Sequence, residues 1–222
     1  MAKTRLYWRV LRCVVRWAAV LVLKARCHGI RHVPLEGGVL LVCNHQSFAD
    51  PVLATMALDR ESCYMARESL FSNRWFRRLI ESLNTFPVRR NAADVGAVKE
   101  SLRRLKRGMV LTVFPEGTRT PDGRIHLMLP GLAAIAKKAR VPIVPTLIDG
   151  VHQAWPRDCR LPRPGDVVVA YSPPIMPHEY AGLTADALME LIRNRLIAMQ
   201  QSWHRRVPHR RLEWYEPEPQ EP

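Results

Sequence analysis

The sequence predicts an α/β domain, a central and mostly parallel β-sheet flanked by helices. Short continuous apolar runs alternate with segments of helical periodicity, the pattern of strands joined through crossover helices. The clearest run, Val39-Leu40-Leu41-Val42-Cys43, is apolar at every position, as a strand covered on both faces requires. A chain of 222 residues that is 47% apolar has material for a substantial core, which excludes a chain disordered by low hydrophobicity.

The first element is a helix. Arg5, Arg9, Arg12 and Arg16 recur every three or four residues and form a cationic stripe, while Trp8, Leu11, Val15 and Ala19 face elsewhere. The wholly apolar run Trp17 to Leu23 is far shorter than the roughly 20 residues needed to span a bilayer. Lys24, Arg26 and His28 follow it where an export signal would place a small-residue cleavage site. Residues 1–28 are therefore expected to form an N-terminal amphipathic membrane-contact helix, lying in the headgroup layer with Trp8 and Trp17 as anchors.

The Val39–Cys43 strand comes next, and Asp50-Pro51 opens a helix through Val52 to Leu58, since Asp caps and Pro is tolerated at the first helical position. Leu70, Phe71, Trp75, Leu79, Ile80 and Leu83 predict one helix over 69–83 with Arg74, Arg77 and Arg78 on a basic face. Asp94 caps a helix with the apolar stripe Val95, Val98, Leu102 and Leu105, stopped at Gly108. Met109–Phe114, Val141–Ile148 and Asp166–Tyr171 read as strands and Leu132–Ala139 as a short helix. Thr184 caps a last helix carrying Leu188, Leu191, Ile192, Leu196 and Met199 on one side. The main domain is thus expected over 29–204, and 205–222 as a basic and then Pro/Glu-rich disordered tail.

A net charge of +14, from 34 Lys+Arg against 20 Asp+Glu, attracts nucleic acid, anionic membrane or phosphorylated small molecules. No helix-turn-helix, zinc or aromatic RNP pattern supports a nucleic-acid partner. The five scattered cysteines lack metal spacing or an even disulfide framework, so they read as reduced thiols in a cytosol-like compartment, and no metal site is expected.

Two motifs carry chemistry. Asn44-His45-Gln46-Ser47-Phe48-Ala49-Asp50 leaves a buried strand, where open α/β sheets collect their sites. His45 there can serve as a general base, with Asp50 fixing its tautomer and supporting the imidazolium. The same residues equally suit a loop histidine beside an N-cap aspartate. Cys43 beside His45 reads as a core thiol rather than a nucleophile. Phe114-Pro115-Glu116-Gly117-Thr118-Arg119 leaves a second strand, with a guanidinium fork suited to phosphate and a glycine that admits a close backbone approach. The plain alternative is a strand-exit turn in which Glu116 and Arg119 pair with each other.

The two motifs in this order, N-H-x4-D and then F-P-E-G-T-R about seventy residues on, resemble the glycerolipid acyltransferase superfamily, in particular its 1-acyl-glycerol-3-phosphate (lysophosphatidate) acyltransferases. Thr85-Phe86-Pro87-Val88-Arg89-Arg90 and Val141-Pro142-Ile143-Val144-Pro145 are similar to two further blocks, and the likeness runs from Gly29 to Pro174. The resemblance implies a membrane-associated enzyme on the cytoplasmic face that transfers a fatty acyl group from acyl-CoA or acyl carrier protein to the sn-2 hydroxyl of 1-acyl-glycerol-3-phosphate, giving phosphatidate. It implies His45 as base and Asp50 as its support, and a glycerophosphate site shaped by Arg90, Glu116, Gly117, Thr118 and Arg119. Glu116 would there orient Arg119 or a substrate hydroxyl. No cofactor is implied beyond the thioester co-substrate; the partners implied are a lysophospholipid acceptor and a membrane surface with anionic lipids.

Where many relatives carry a Phe-Lys pair, this chain has Met128-Leu129 before Pro130-Gly131, so that lysine's part is absent or falls to Lys137 or Arg124. Glycerol-3-phosphate or another lyso-lipid as acceptor, and an inactive lipid-binding relative, are the alternatives. Arginines of the first helix, the Arg74/Arg77/Arg78 face and the Arg205–Arg211 segment are the expected membrane contacts, and Leu70, Phe71, Trp75 and Phe76 could line an acyl-chain groove.

Overall fold

The computed structural model describes residues 6–89, 94–156, 158–159 and 161–206; Arg90 and the expected tail from 207 onward lie outside the described residues. In chain order the elements are α1 (Leu6–Leu23), β1 (Arg26–His28), β2 (Val39–Cys43), α2 (Asp50–Leu53), β3 (Ser62–Arg67), α3 (Arg74–Ser82), β4 (Thr85–Val88), α4 (Val95–Lys106), β5 (Val110–Val113), α5 (Gly131–Ala139), β6 (Ile143–Asp149), α6 (Val151–Ala154), β7 (Val168–Tyr171), α7 (Pro177–Tyr180) and α8 (Ala185–Arg206). Single 3-10 turns occur at Ile30–His32 and Glu68–Phe71.

The described strands form one seven-stranded sheet in the order β1-β7-β6-β2-β5-β3-β4, parallel throughout except where β7 runs antiparallel to β6. β2 lies at the centre and every one of its residues is fully buried. Its side chains divide by strand alternation. Leu40 and Val42 join Leu111, Ile143 and Leu147 on one face, beneath side chains of α4, α5 and α8. Val39, Leu41 and Cys43 join Val110, Val144 and Ile148 on the other, beneath Ala19 and Leu23 of α1, Leu53 of α2 and Val151 of α6. Each fully buried Val or Leu of this kind contributes about 1.5–3 kcal/mol. Gly38 lets the sheet meet α4 closely, because a Cβ there would stand 2.4 Å from the Leu105 carbonyl oxygen.

The edges depart from expectation. β1, β3 and β4 are strands where no strand was expected, and the edge strands β1 and β4 are short, β4 carrying Pro87 as edge strands tolerate. The helix expected over 69–83 is broken: Asn73 adopts an extended conformation and its side chain accepts from the Trp75 and Phe76 N–H groups at 3.0 and 3.1 Å, which starts α3 afresh. The helix after Asp50 ends at Leu53, where the Thr55 hydroxyl turns back to the Pro51 carbonyl and meets the Tyr64 hydroxyl at 2.6 Å. Asp94 caps α4 as its position predicts, accepting from the Ala97 N–H at 2.9 Å, and Thr184 does so for α8, accepting from the Ala187 N–H at 3.2 Å.

α1 docks through Ala19 and Leu23, and the Val22 and Leu23 carbonyls accept from Gly165 and Val167. Val14, Trp17 and Leu21 stand on the opposite, exposed stripe, Trp17 61% and Leu21 73% exposed. Arg16 is exposed as well; Arg5 and the side chains of Trp8, Arg9, Leu11, Arg12 and Val15 lie outside the described residues. Among the described residues no helix is long and apolar enough to cross a membrane. The five cysteines are free.

Candidate active site

Parallel pairing of β2 with β5, Val42 opposite Val113, makes the two chemistry-bearing loops emerge side by side from adjacent strand ends. Asn44 anchors the first loop: its amide donates to the Ile148 carbonyl and accepts the Ile148 N–H, each at 2.8 Å. His45 follows, its side chain 18% exposed and its ring 4.5 Å from that of Phe114 on the second loop.

His45 Nδ1 meets Asp50 Oδ2 at 2.7 Å. A carboxylate can only accept, so the neutral imidazole carries its proton on Nδ1 and leaves Nε2 as the ring's acceptor. The same Asp50 oxygen accepts the backbone N–H groups of Gln46 at 2.6 Å and Ser47 at 2.7 Å. Asp50 is fully buried. It therefore does not cap the helix that follows it; it faces back and closes its own loop around the histidine. The alternative of a plain N-cap is set aside by this geometry. Cys43 points into the core, where burial pushes its thiol well above the ordinary range.

Glu116 joins the loops from the other side. One carboxylate oxygen accepts the His45 N–H at 3.0 Å across 71 residues of chain, and the other accepts the His126 N–H at 3.3 Å. Burial pushes its carboxyl up to about 7 against the pull of those two donors. One backbone N–H on each oxygen makes Glu116 a brace between the two loops. Thr120 N–H adds a 2.7 Å bond to the His45 carbonyl. Gly117 takes a left-handed φ of +70°, with Leu129 close by. The Arg119 guanidinium lies 3.5 Å over the Phe48 ring.

These loops form the polar end of a cavity of about 1590 Å³. His45, Gly117, Thr118 and Arg119 line it at that end, and Met65, Leu70, Phe76, Leu79, Ile80 and Leu132 line its apolar walls. Sites for drug-sized ligands run about 300–1,000 Å³, and this cavity exceeds that range. Of the expected groove residues, Leu70 and Phe76 line the cavity, whereas Phe71 and Trp75 stand outside it. Lys137 donates to the Leu183 carbonyl and Arg124 lies 3.9 Å from Asp122; the lysine that does line the cavity is its neighbour Lys138. Arg90 lies outside the described residues. Among the described residues no cluster of three or more His, Cys, Asp or Glu side chains could hold a metal.

One buried layer had no signal in the sequence. Behind the histidine loop, Gln46 donates to the Gly123 carbonyl at 3.2 Å and accepts the His152 N–H at 3.2 Å. Gln200 of α8 shares that carbonyl and donates to Asp149 at 2.9 Å, while His204 meets the other Asp149 oxygen at 2.7 Å. Asp149 closes an apolar strand, which was its only mark.

A histidine bonded to a buried carboxylate and a set of apolar walls thus share one cavity. The chain belongs to the acyltransferase family, whose model matches residues 24–149. It is 26% identical to a 1-acyl-sn-glycerol-3-phosphate acyltransferase of Bacillus subtilis over 79% of this chain and 82% of that protein. It is 29% identical to one of Cocos nucifera over 69% of this chain, spanning only 51% of that protein's length. Its fold is shared with the crystal structure of the 1-acyl-sn-glycerophosphate (LPA) acyltransferase PlsC from Thermotoga maritima, at a TM-score of 0.75 and 24% identity, over 93% of this chain and 82% of that one.

Proposed function

We propose that this chain is a glycerolipid O-acyltransferase that moves a fatty acyl group from an acyl thioester, on coenzyme A or acyl carrier protein, to the sn-2 hydroxyl of 1-acyl-glycerol-3-phosphate, giving phosphatidate. The observation that carries this reading is the His45–Asp50 pair at the polar end of the apolar cavity. In the reaction, His45 Nε2 takes the proton of the acceptor hydroxyl as its oxygen attacks the thioester carbonyl. Collapse of the tetrahedral intermediate forms the ester and expels the thiolate, which receives the proton back from His45. Asp50 holds the ring and supports the imidazolium. General-base help of this kind supplies on the order of 10²–10⁴-fold, and positioning by the braced loops adds to it. Arg119, with Gly117 and Thr118, is suited to the acceptor's phosphate. No cofactor is needed, because the thioester is already activated.

The exposed Val14/Trp17/Leu21 stripe of α1 supports residence on a membrane surface; the reading sets that surface at the cytoplasmic face and starts the acyltransferase domain at β1, whose Arg26–His28 pair with β7, and ends it at 204. Removing residues 1–24 would also strip Ala19 and Leu23 from the core, so substitution of Trp17 and Leu21 is the sounder probe of that contact.

Leu129 favours a second reading of the acceptor. Its backbone N–H bonds to the Pro115 carbonyl at 2.9 Å and its apolar side chain abuts Gly117, where a charged headgroup would bind. A lyso-lipid with another, less charged headgroup would then be the preferred acceptor. The test is to incubate wild type and His45→Ala in micelles with labelled acyl-CoA or acyl carrier protein and a panel of lyso-acceptors. Product from wild type alone, greatest with lysophosphatidate, is expected; equal product from both proteins would remove His45 from the mechanism.

A further inference from the structure

α3 is barely supported by the domain it belongs to. Of its nine residues only Ile80 is buried. Trp75 is 69% and Leu79 46% exposed, and Arg74, Arg77 and Arg78 are exposed beside them. At 100° per residue, Trp75, Leu79, Phe76 and Ile80 share one apolar arc, its inner side toward the cavity and its outer side toward solvent. Arg74 and Arg78 flank the outer side, their guanidinium carbons 5.4 and 5.5 Å from the Trp75 ring centroid. Arg77 is paired with Glu81, the one acid on the helix, at 2.7 Å.

A tryptophan flanked by arginines on an in-plane amphipathic helix is the composition that headgroup layers select: an amphipathic ring at the interface and cations on lipid phosphates. The inner side of the same helix supplies Phe76, Leu79 and Ile80 to the cavity wall. We propose that α3 is a second membrane-docking element, which lies in the headgroup layer of an anionic bilayer with Trp75 inserted and Arg74 and Arg78 on lipid phosphates. Docked so, the helix sets the cavity wall against the lipid, and an apolar chain enters without crossing water. The inference deepens the reading above by naming the surface through which the acceptor arrives, and it rests on that reading for the acceptor's identity alone.

α3 is also separate from α1. α1 leads into β1 at one edge of the sheet and α3 into β4 at the other.

The test is partition of the full chain into phosphatidylcholine vesicles with and without phosphatidylglycerol, at low salt and over a range of lipid concentration. Arg74→Gln/Arg78→Gln is expected to weaken partition to the anionic vesicles about 30-fold, the loss of two surface cations, and to change partition to neutral vesicles little. Trp75→Ser is expected to weaken both by about tenfold. Neither variant touches the cavity lining, so turnover of a short-chain lyso-acceptor dissolved as monomer is expected to stay within twofold of wild type. Partition unchanged within threefold in both variants would overturn the proposal, as would an equal loss from Arg74→Gln/Arg78→Gln on the two vesicle types. A wild-type chain that turns over no acceptor would instead count against the proposed function and leave the partition result standing.

Discussion

Asp50→Asn isolates what the buried carboxylate does. One oxygen of Asp50 accepts three bonds of 2.6–2.7 Å, from His45 Nδ1 and the backbone N–H groups of Gln46 and Ser47. The asparagine carbonyl can occupy that position and keep all three, but without charge. Bonds to a charged acceptor are worth about 1 kcal/mol more than neutral ones, so the loop loses about 3 kcal/mol. The new NH2 group falls where Asp50 Oδ1 lies buried with no hydrogen-bond partner among the described residues, which costs about 1–3 kcal/mol more. The variant should therefore unfold at markedly lower denaturant yet remain folded in buffer. Catalysis suffers separately, because the imidazolium formed during attack loses its counter-charge; the equivalent change in a triad costs on the order of 10⁴-fold. The assay is steady-state acyl transfer in micelles, well below the unfolding transition, with circular dichroism on the same samples. A kcat reduced about 10³–10⁴-fold with KM for both substrates near wild type is expected. Activity within tenfold of wild type in a folded protein would refute the reasoning and reduce Asp50 to a loop brace.

Three further outcomes follow from the same geometry. Glu116 has its carboxyl raised from 4.5 to about 7 by burial, so the folded protein favours its protonated form; this contribution to stability is full below pH 4.5 and is lost as pH rises through 7. Relative to Glu116→Gln, which does not titrate, wild type should lose about 3 kcal/mol of unfolding free energy between pH 4.5 and 8, and parallel profiles in urea titrations would contradict this. His204→Ala leaves Asp149 buried without its closest partner and should cost about 3 kcal/mol, read as a melting temperature lower by roughly 10 °C; a fall under about 2 °C would show that the network adds little. Gly117→Ala forces a left-handed φ on a residue with a Cβ, 3.2 Å from a Leu129 methyl, and should cost about 1–2 kcal/mol while displacing the Thr118–Arg119 segment; unchanged stability and unchanged KM for the acceptor would refute it.

The centre of the sheet was legible because burial on both faces leaves an unbroken apolar run, as at Val39–Cys43. β3 was not, for a reason tied to the site: Ser62, Tyr64, Met65, Ala66 and Arg67 line the cavity, so the strand shows neither an apolar run nor clean alternation. The break before α3 turns on one side chain, Asn73, whose capping competes with a periodicity that runs straight through it. His45 and Asp50 stood out by spacing, and their bond is local. The bracing role of Glu116 is not written in its own neighbourhood, because it arises only when parallel pairing of β2 and β5 brings two distant loops together. Asp149, Gln200 and His204 are invisible for the same reason: each is ordinary until the fold makes it the partner of the others.

The network behind the histidine loop also sets an order of events during synthesis. Its acid, Asp149, ends β6, but two of its donors, Gln200 and His204, arrive with α8. A nascent chain that has emerged only as far as β7 has the strands and both loops but lacks the groups that satisfy this carboxylate in the closed core. Such a chain also lacks Leu188, Ile192 and Leu196, the α8 side chains that cover one face of the sheet. Ribosomal stalling or premature termination ahead of α8 is therefore expected to leave apolar surface exposed, a target for chaperones and proteases.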